Sequence, residues 1–391
     1  MTRIVIGADL VPYKRHKQAL IEGNIDAVID SGIKELFEKA DYRVVNMELP
    51  LIKEQTPIEK CGPNLGAGTE AIKGYQALNI DLVTIANNHV LDHGKKGFDS
   101  TIETLNSVGL AYVGGGYTYE DAYAPKIVEL GGKKIGFYAT CQHEFSWVQD
   151  YGFGSNGFDP LETPDHLVQL KKECDYVIVL YHAGVEHYPY PTPRMRKECR
   201  KMVEKGADLV ICQHTHCVDC EEKYKGGTIC YGQGDFIFDH GNSEALRKSL
   251  LVTVDFDENG FKVNYHAIER QEDGFITLAK DNSILEGFYK RSEEIKEEGF
   301  VEQKLEEQGD GNMLRCYLDA YRGYFDSGFY RFVWKLTNKK CANVLLGKKS
   351  RVRLINYINN PAHGDMILAG IKAYQKRVWK QENDKNNLFD K

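Results

Sequence analysis

Asp9, Asn46 with Glu48, Asn87-Asn88-His89, His182 and His214-Thr215-His216 are residue types that bind or serve metals, and each group follows directly on a short apolar run. Carboxylate and amide oxygens mixed with imidazole nitrogens suit borderline divalent ions such as Mn, Zn or Fe. Two such ions about 3.5–4 Å apart generate a hydroxide from bound water and clamp the leaving oxygen, which is the chemistry of metal-assisted hydrolysis. Taken singly, the residues have plainer accounts. Asp9 reads as a turn residue, Glu48 before Leu49-Pro50 as a solvent-facing strand end, and His182 as a hydrogen-bonded core histidine. His214 and His216, two positions apart, are expected on the same side of an extended segment, which is harder to ascribe to packing. In combination the metal site outweighs the plainer accounts.

The elements that must position these residues alternate. Short runs rich in Val, Ile and Tyr (Ile4–Ile6, Val44–Met47, Leu82–Ala86, Ile135–Ala139, Tyr176–Tyr181, Leu209–Cys212, Ile229–Tyr231) are separated by segments of helical periodicity such as Ile33–Ala40, Phe98–Val108 and Arg194–Lys205. That pattern predicts an α/β domain with buried strands whose carboxyl ends carry the site. The runs Leu250–Phe256 and Phe261–Ile268, joined through Asn259-Gly260, predict a hairpin that closes this domain near residue 270. Residues 271–391 read as a smaller helical C-terminal region, with Ser292–Glu298 and Glu302–Gln308 followed by aromatic segments around Tyr317–Tyr324 and Phe329–Trp334. The Gln308–Asn312 stretch reads as a helix breaker, His363 as part of a turn, and Lys385–Lys391 as a polar tail.

The 391 residues, 42% hydrophobic and 27% charged, are enough for a sizeable core, and the net charge of −7 offers no broad basic field for nucleic acid. An anionic substrate therefore needs a local cation, which a bound metal supplies. The opening residues show no signal-peptide pattern, and no apolar run approaches the roughly 20 residues of a membrane span. The ten cysteines are scattered, as expected of reduced, buried thiols. A cytoplasmic protein without membrane insertion is the expectation.

The runs Asn46-Met47-Glu48-Leu49-Pro50-Leu51, Ala86 to Gly94, His182-Ala183-Gly184-Val185-Glu186-His187, Gln213-His214-Thr215-His216 and Tyr231-Gly232-Gln233-Gly234-Asp235-Phe236 resemble, in wording and order, the motifs of the capsule and poly-γ-glutamate synthesis (CapA) family. That family belongs with the calcineurin-like metallophosphoesterases. The resemblance spans roughly residues 3–240. It implies a metallophosphatase-like αββα sandwich, with Asp9 and His216 on one divalent ion, Glu48 bridging, and Asn88, His182 and His214 on a second. It further implies His89 as general acid with Asp92 orienting it, and Lys60 and Glu186 as substrate-pocket residues. Where the wider superfamily has Asp-x-His, this chain has Asp9-Leu10-Val11, so the first ion position lacks one histidine and the number of ions is one or two. Gln213 and Asp235 also depart from the pattern, without removing a ligand.

Two functions follow. One is a hydrolase acting on a phosphoester, ester or amide bond of an anionic or polymer-derived small molecule. The other is a non-catalytic, metal-containing binding or assembly component that recognises an anionic polymer, with the C-terminal region offered to a protein partner. Retention of His89 favours the enzyme, because a binder has no need of an acid beside the metals. A structural zinc knot from His214, His216, Cys217 and Cys220 is the weaker local reading, since it leaves Asp9, Asn88 and His182 unexplained.

Overall fold

Along β1 (Thr2–Leu10) every residue from Ile4 to Leu10 is buried, the mark of a strand covered on both faces. Its side chains alternate between two apolar layers, Val5 entering one while Ile4 and Ile6 enter the other. The computed structural model describes residues 2–309 apart from Cys61 and Asn259, together with Phe332, Lys335 and Leu336.

In the first sheet β1 pairs in parallel with β2 (Tyr42–Met47), which continues through β3 (Leu82–Thr84) to β4 (Ala111–Val113). The second sheet includes β5 (Lys126–Leu130), β6 (Lys133–Cys141), β7 (Tyr176–His182), β8 (Leu209–Gln213), β9 (Glu221–Tyr224) and β10 (Gly227–Cys230), in the spatial order β9-β10-β8-β7-β6-β5. Strands β6, β7, β8 and β10 run parallel there. The short strand β11 (Asp235–Ile237) returns to the first sheet beside the end of β1. The antiparallel strands β12 (Lys248–Asp257), β13 (Gly260–Arg270) and β14 (Ile276–Leu278) extend that sheet beyond β1.

Between the sheets lies a cluster that includes Ile6, Val44, Phe137, Ile178, Leu180, Ile211 and Val252. Helices cover the two outer faces. On the first sheet α1 (Ser31–Glu38) contributes Ile33 and Phe37, and α2 (Gly94–Ser107) contributes Phe98, Ile102 and Leu105. On the second, α3 (Thr163–Glu173) contributes Leu167 and Leu170, and α4 (Pro193–Glu204) contributes Met195, Cys199 and Met202. These apolar positions recur at three- and four-residue spacing, one face of a helix. Asp30 accepts from the Ile33 amide at 2.8 Å and caps α1, while Thr192 caps α4 ahead of Pro193. The architecture is an αββα sandwich, two sheets face to face with helices on both outer sides.

The hairpin between β12 and β13 closes at the Asp257–Gly260 pair. The compact unit does not end there but runs from Met1 to Glu307. The reason is apolar packing: α5 (Ser283–Glu294) buries Ile284 and Phe288 in the inter-sheet layer, and the Phe288 ring lies 4.6 Å from that of Tyr265. Helix α6 (Phe300–Gln308) follows and contains the expected Glu302–Gln308 segment, whereas of the expected Ser292–Glu298 only Ser292–Glu294 is helical and the rest is turn. The aromatic residues Tyr317, Tyr321, Tyr324, Phe325, Phe329, Tyr330 and Trp334, the residues Asp310–Asn312, His363 and the Lys385–Lys391 tail lie outside the described residues. Among the described residues no helix is long and apolar enough to cross a membrane.

Candidate metal centre

The parallel strands of both sheets deliver their carboxyl ends to one edge. From the first sheet come Asp9 at the end of β1, Asn46 and Glu48 at and after β2, and Asn87-Asn88-His89 after β3. From the second come Glu144 after β6, His182 at the end of β7, and His214 and His216 after β8. The sheets meet where the Asn46 amide Nδ2 lies 2.7 Å from Asp9 Oδ1 and 3.3 Å from His182 Nδ1.

Two ligand groups share Glu48, and in each the donor atoms lie within 4.8 Å of one another: Glu48 with His182 and His214, and Glu48 with Asp9 and His216. His182 Nε2 lies 3.2 Å from Glu48 Oε1 and 3.0 Å from Asn88 Oδ1. The Asn88 amide donates at 2.9 Å to Glu144, whose other oxygen lies 3.3 Å from His214 Nε2. On the far side of Glu48, His216 Nδ1 lies 3.7 Å from Asp9 Oδ2 and 2.8 Å from Asp235 Oδ1.

The donors fit a cation. Asp9 Oδ2, both Glu48 oxygens, His214 Nδ1 and Asp235 Oδ2 are buried acceptor or ring atoms with no hydrogen-bond partner. Buried carboxylates at such proximity are costly unless positive charge is supplied. Burial pushes the Asp9 carboxyl up to about 6 against the opposing pull of His216. Burial raises Glu48 well above the usual range, and the neighbouring Asp9 and Asp235 add to it. Burial and the other imidazoles hold His182 far below its ordinary value, and burial takes His216 down to about 4. Imidazoles held neutral are the form that binds a divalent ion, and a cation among these carboxylates would supply the positive charge that lets them ionise as ligands. At His214 burial opposes protonation, but the hydrogen bond and charge of Glu144 outweigh it and raise the group. Glu144 is held at about 2, because His214, Asn88 and Gln142 outweigh its own burial.

His89 stands apart from both ligand groups. Its loop is tied down by Asn87, whose Nδ2 donates to Asn46 Oδ1 at 3.0 Å and to the Met47 carbonyl at 2.9 Å. His89 Nδ1 lies 2.6 Å from Asp92 Oδ2, and the Leu65 amide donates to the same oxygen. The buried Lys60 ammonium pairs with Asp92 and reaches to 3.2 Å from His89 Nδ1. Since Nδ1 cannot donate to Asp92 and accept from Lys60 at once, the shorter contact makes it the donor. Among the described residues no hydrogen bond uses His89 Nε2. Glu186 is exposed, and its charge is felt at Glu48, His214 and His216. A cavity of about 490 Å³ is lined by residues that include His187, Cys217, Lys248, Ile284 and Arg291, and by none of the ligand candidates.

One feature differs from the sequence reading, the backbone that carries the paired histidines. His214 and His216 are not in an extended segment, since φ angles of 102° and 56° break the alternation; one ring lies beside Glu144 and the other beside Asp9, with Glu48 common to both ligand groups. Gly184, at φ 130°, lets the β7 loop approach Thr215 so closely that a Cβ there would meet Thr215 Cγ2 at 2.5 Å. Cys217 and Cys220 join no ligand group among the described residues; Cys217 Sγ faces Asp219 at 3.4 Å. Sequence reasoning also passed over Glu144, although the Ile135–Ala139 run before it is the strand-end signal used elsewhere, and over His240, which no periodicity marks.

A family model described as bacterial capsule synthesis protein PGA_cap matches residues 4–240. This chain belongs to that family. The matched residues include every metal-ligand candidate from Asp9 to His216, together with Asp235 and His240. Among curated members of similar sequence, the PGA biosynthesis protein CapA of Bacillus subtilis (strain 168) is 28% identical over 236 residues, 58% of this chain and 61% of its own. The capsule biosynthesis protein CapA of Bacillus anthracis is 27% identical over 258 residues, 63% of this chain and 62% of its own. The capsule-synthesis likeness thus spans about three fifths of the length of these relatives. A solved structure described as a novel phosphatase from Mycoplasma pneumoniae is similar at a TM-score of 0.44 and 16% identity, over 68% of this chain and 93% of its own.

Proposed function

We propose that this chain is a metal-dependent hydrolase of the capsule-synthesis family, cleaving a phosphoester, ester or amide bond in an anionic molecule of capsule or poly-γ-glutamate metabolism. One observation carries the reading: buried, unpartnered oxygens of Asp9 and Glu48 face neutral imidazoles where two sheets meet. Divalent ions held by Asp9, Glu48, Asn88, His182, His214 and His216 would polarise the scissile group and acidify a water. Around that centre the chain's own groups have separate tasks. Asp92 accepts from Nδ1 of His89 and fixes its tautomer, which leaves Nε2 to deliver a proton to the departing atom. Lys60, buried against Asp92, keeps that carboxylate compensated. Glu186, exposed but near enough for its charge to act on Glu48, His214 and His216, would disfavour an anionic substrate unless the ions were in place. The names of the Bacillus relatives speak of PGA and capsule biosynthesis, which is the ground for the metabolic setting.

Metal content and turnover measured together on phosphoester, ester and γ-glutamyl amide substrates provide the test. His182→Ala should lower both. His89→Ala should keep its metal and lose on the order of 10²–10⁴ in turnover, least with leaving groups that need no proton. Full activity of His89→Ala on a poor leaving group would remove the acid assignment. Metal-replete protein inactive on every class would favour the binding component instead.

A further inference from the structure

We infer that Asp235 and His240 are additional ligands of the ion that Asp9, Glu48 and His216 would hold, so that this position is built from five side chains rather than three. The inference rests on the metal reading above and goes beyond the residues to which that reading gives roles.

Strand β11 pairs in parallel with β1 so that Asp235 stands in register with Asp9. Register partners on adjacent strands present their side chains on the same side of the sheet, roughly 4.8 Å apart along the backbone pairing. A second carboxylate therefore sits beside the first, 4% exposed, with Oδ1 2.8 Å from His216 Nδ1 and Oδ2 without a partner. The nearby acid Asp239 is treated differently. Arg15 pairs with it at 2.8 Å and Arg270 at 3.0 Å. The chain thus supplies paired cations to Asp239, whereas among the described residues Asp235 has no hydrogen bond or ion pair to an Arg or Lys and feels Arg270 only as a nearby charge.

His240 comes from the loop after β11. Its ring stacks on Phe238 at 5.0 Å and meets the edge of His216 at 4.3 Å, so two aromatic contacts fix its direction. Its Nδ1 is buried and unpartnered. Donor atoms of His216, Asp235 and His240 all lie within 4.8 Å of one another. In a five- or six-coordinate site with bonds near 2.1 Å, adjacent ligand atoms are about 3 Å apart, so small side-chain adjustments would bring the three onto one ion. His216 offers a single ring nitrogen to both Asp9 and Asp235, and one nitrogen binds one ion. The groups on either side of it therefore describe one position.

Full-length wild type, Asp235→Asn, His240→Gln and His182→Ala are stripped, equilibrated with Mn(II) or Zn(II), and compared by ion count and titration calorimetry. Two ions per chain are expected for wild type. Asp235→Asn and His240→Gln should each weaken one of them at least tenfold, whereas His182→Ala should lose the other. Metal-free Asp235→Asn should melt at or above wild type, since it removes a carboxylate crowded against Asp9 and Glu48; a purely structural Asp235 would give a lower melting temperature. Unchanged ion count and affinity in both Asp235→Asn and His240→Gln would overturn the inference. Should wild type hold one ion that is lost in His182→Ala and kept in Asp235→Asn, this inference fails alone. Should wild type bind no ion, the metal reading fails with it.

Discussion

Asp92 shows how a single residue sets the chemistry of its neighbour. It is fully buried, yet it meets the imidazole of His89, the Leu65 amide and the Lys60 ammonium, so its position is over-determined. A carboxylate fixed in this way selects the tautomer of His89 while standing outside both ligand groups. Loss of such a supporting partner typically costs 10–100-fold. Asp92→Asn is therefore expected to keep its metal content and to lower turnover on the order of 10–10², a smaller loss than that of His89→Ala. Steady-state kinetics paired with metal analysis checks this, and an equal or larger loss than that of His89→Ala would assign Asp92 a direct role.

At the scale of elements, the second sheet must hold α4 firmly for β7 and β8 to present His182, His214 and His216. Glu222 on β9 forms the clasp. It accepts from Arg196 at 3.0 Å and from Tyr231 at 2.7 Å, and it also pairs with Arg200. Burial opposes its ionisation, but the Arg200, Arg196 and Tyr231 hydrogen bonds outweigh burial and hold the carboxyl at about 2, against an ordinary 4.5. A depressed carboxylate stabilises the fold above its ordinary value, and that stability is lost as pH falls towards 2. Glu222→Gln should therefore cost about 2 kcal/mol at neutral pH, the scale of hydrogen bonds to charged groups, and the gap should narrow below pH 4. Thermal melts of both proteins across pH decide it. A gap that stays constant into acid would show that the ionised form of Glu222 is not what stabilises the clasp.

Over the compact unit as a whole, α5 is as much part of the inter-sheet layer as the strands are. Phe288 is fully buried between Tyr265 and Tyr289, and Arg291 donates to the Val218 and Asp219 carbonyls just beyond His216. Deleting a buried Phe side chain costs about 3–5 kcal/mol. Phe288→Ala should lose that much in denaturant unfolding while keeping its metal content, because no candidate ligand among the described residues lies on α5. A loss of metal at unchanged stability would mean that the helix shapes the site rather than the core.

How much of this was legible in the sequence depends on the range of the interaction. Asp9, Glu48, Asn88, His182, His214 and His216 each end an apolar run, and a parallel strand buried on both faces leaves its carboxyl end as the place for polar side chains. Local sequence therefore determined that each of these residues would stand at a strand end, and the apolar periodicities determined the layers. It did not determine where the rings of His214 and His216 point, because a left-handed backbone at both positions follows from the meeting of loops, with Gly184 against Thr215. Nor did it determine the register that sets Asp235 beside Asp9, or the docking of α5 that carries the compact unit past residue 270 to Glu307. These are contacts between residues far apart in the chain. Their free energy exists only once the two sheets have closed on each other, which is why only the tertiary structure decided them.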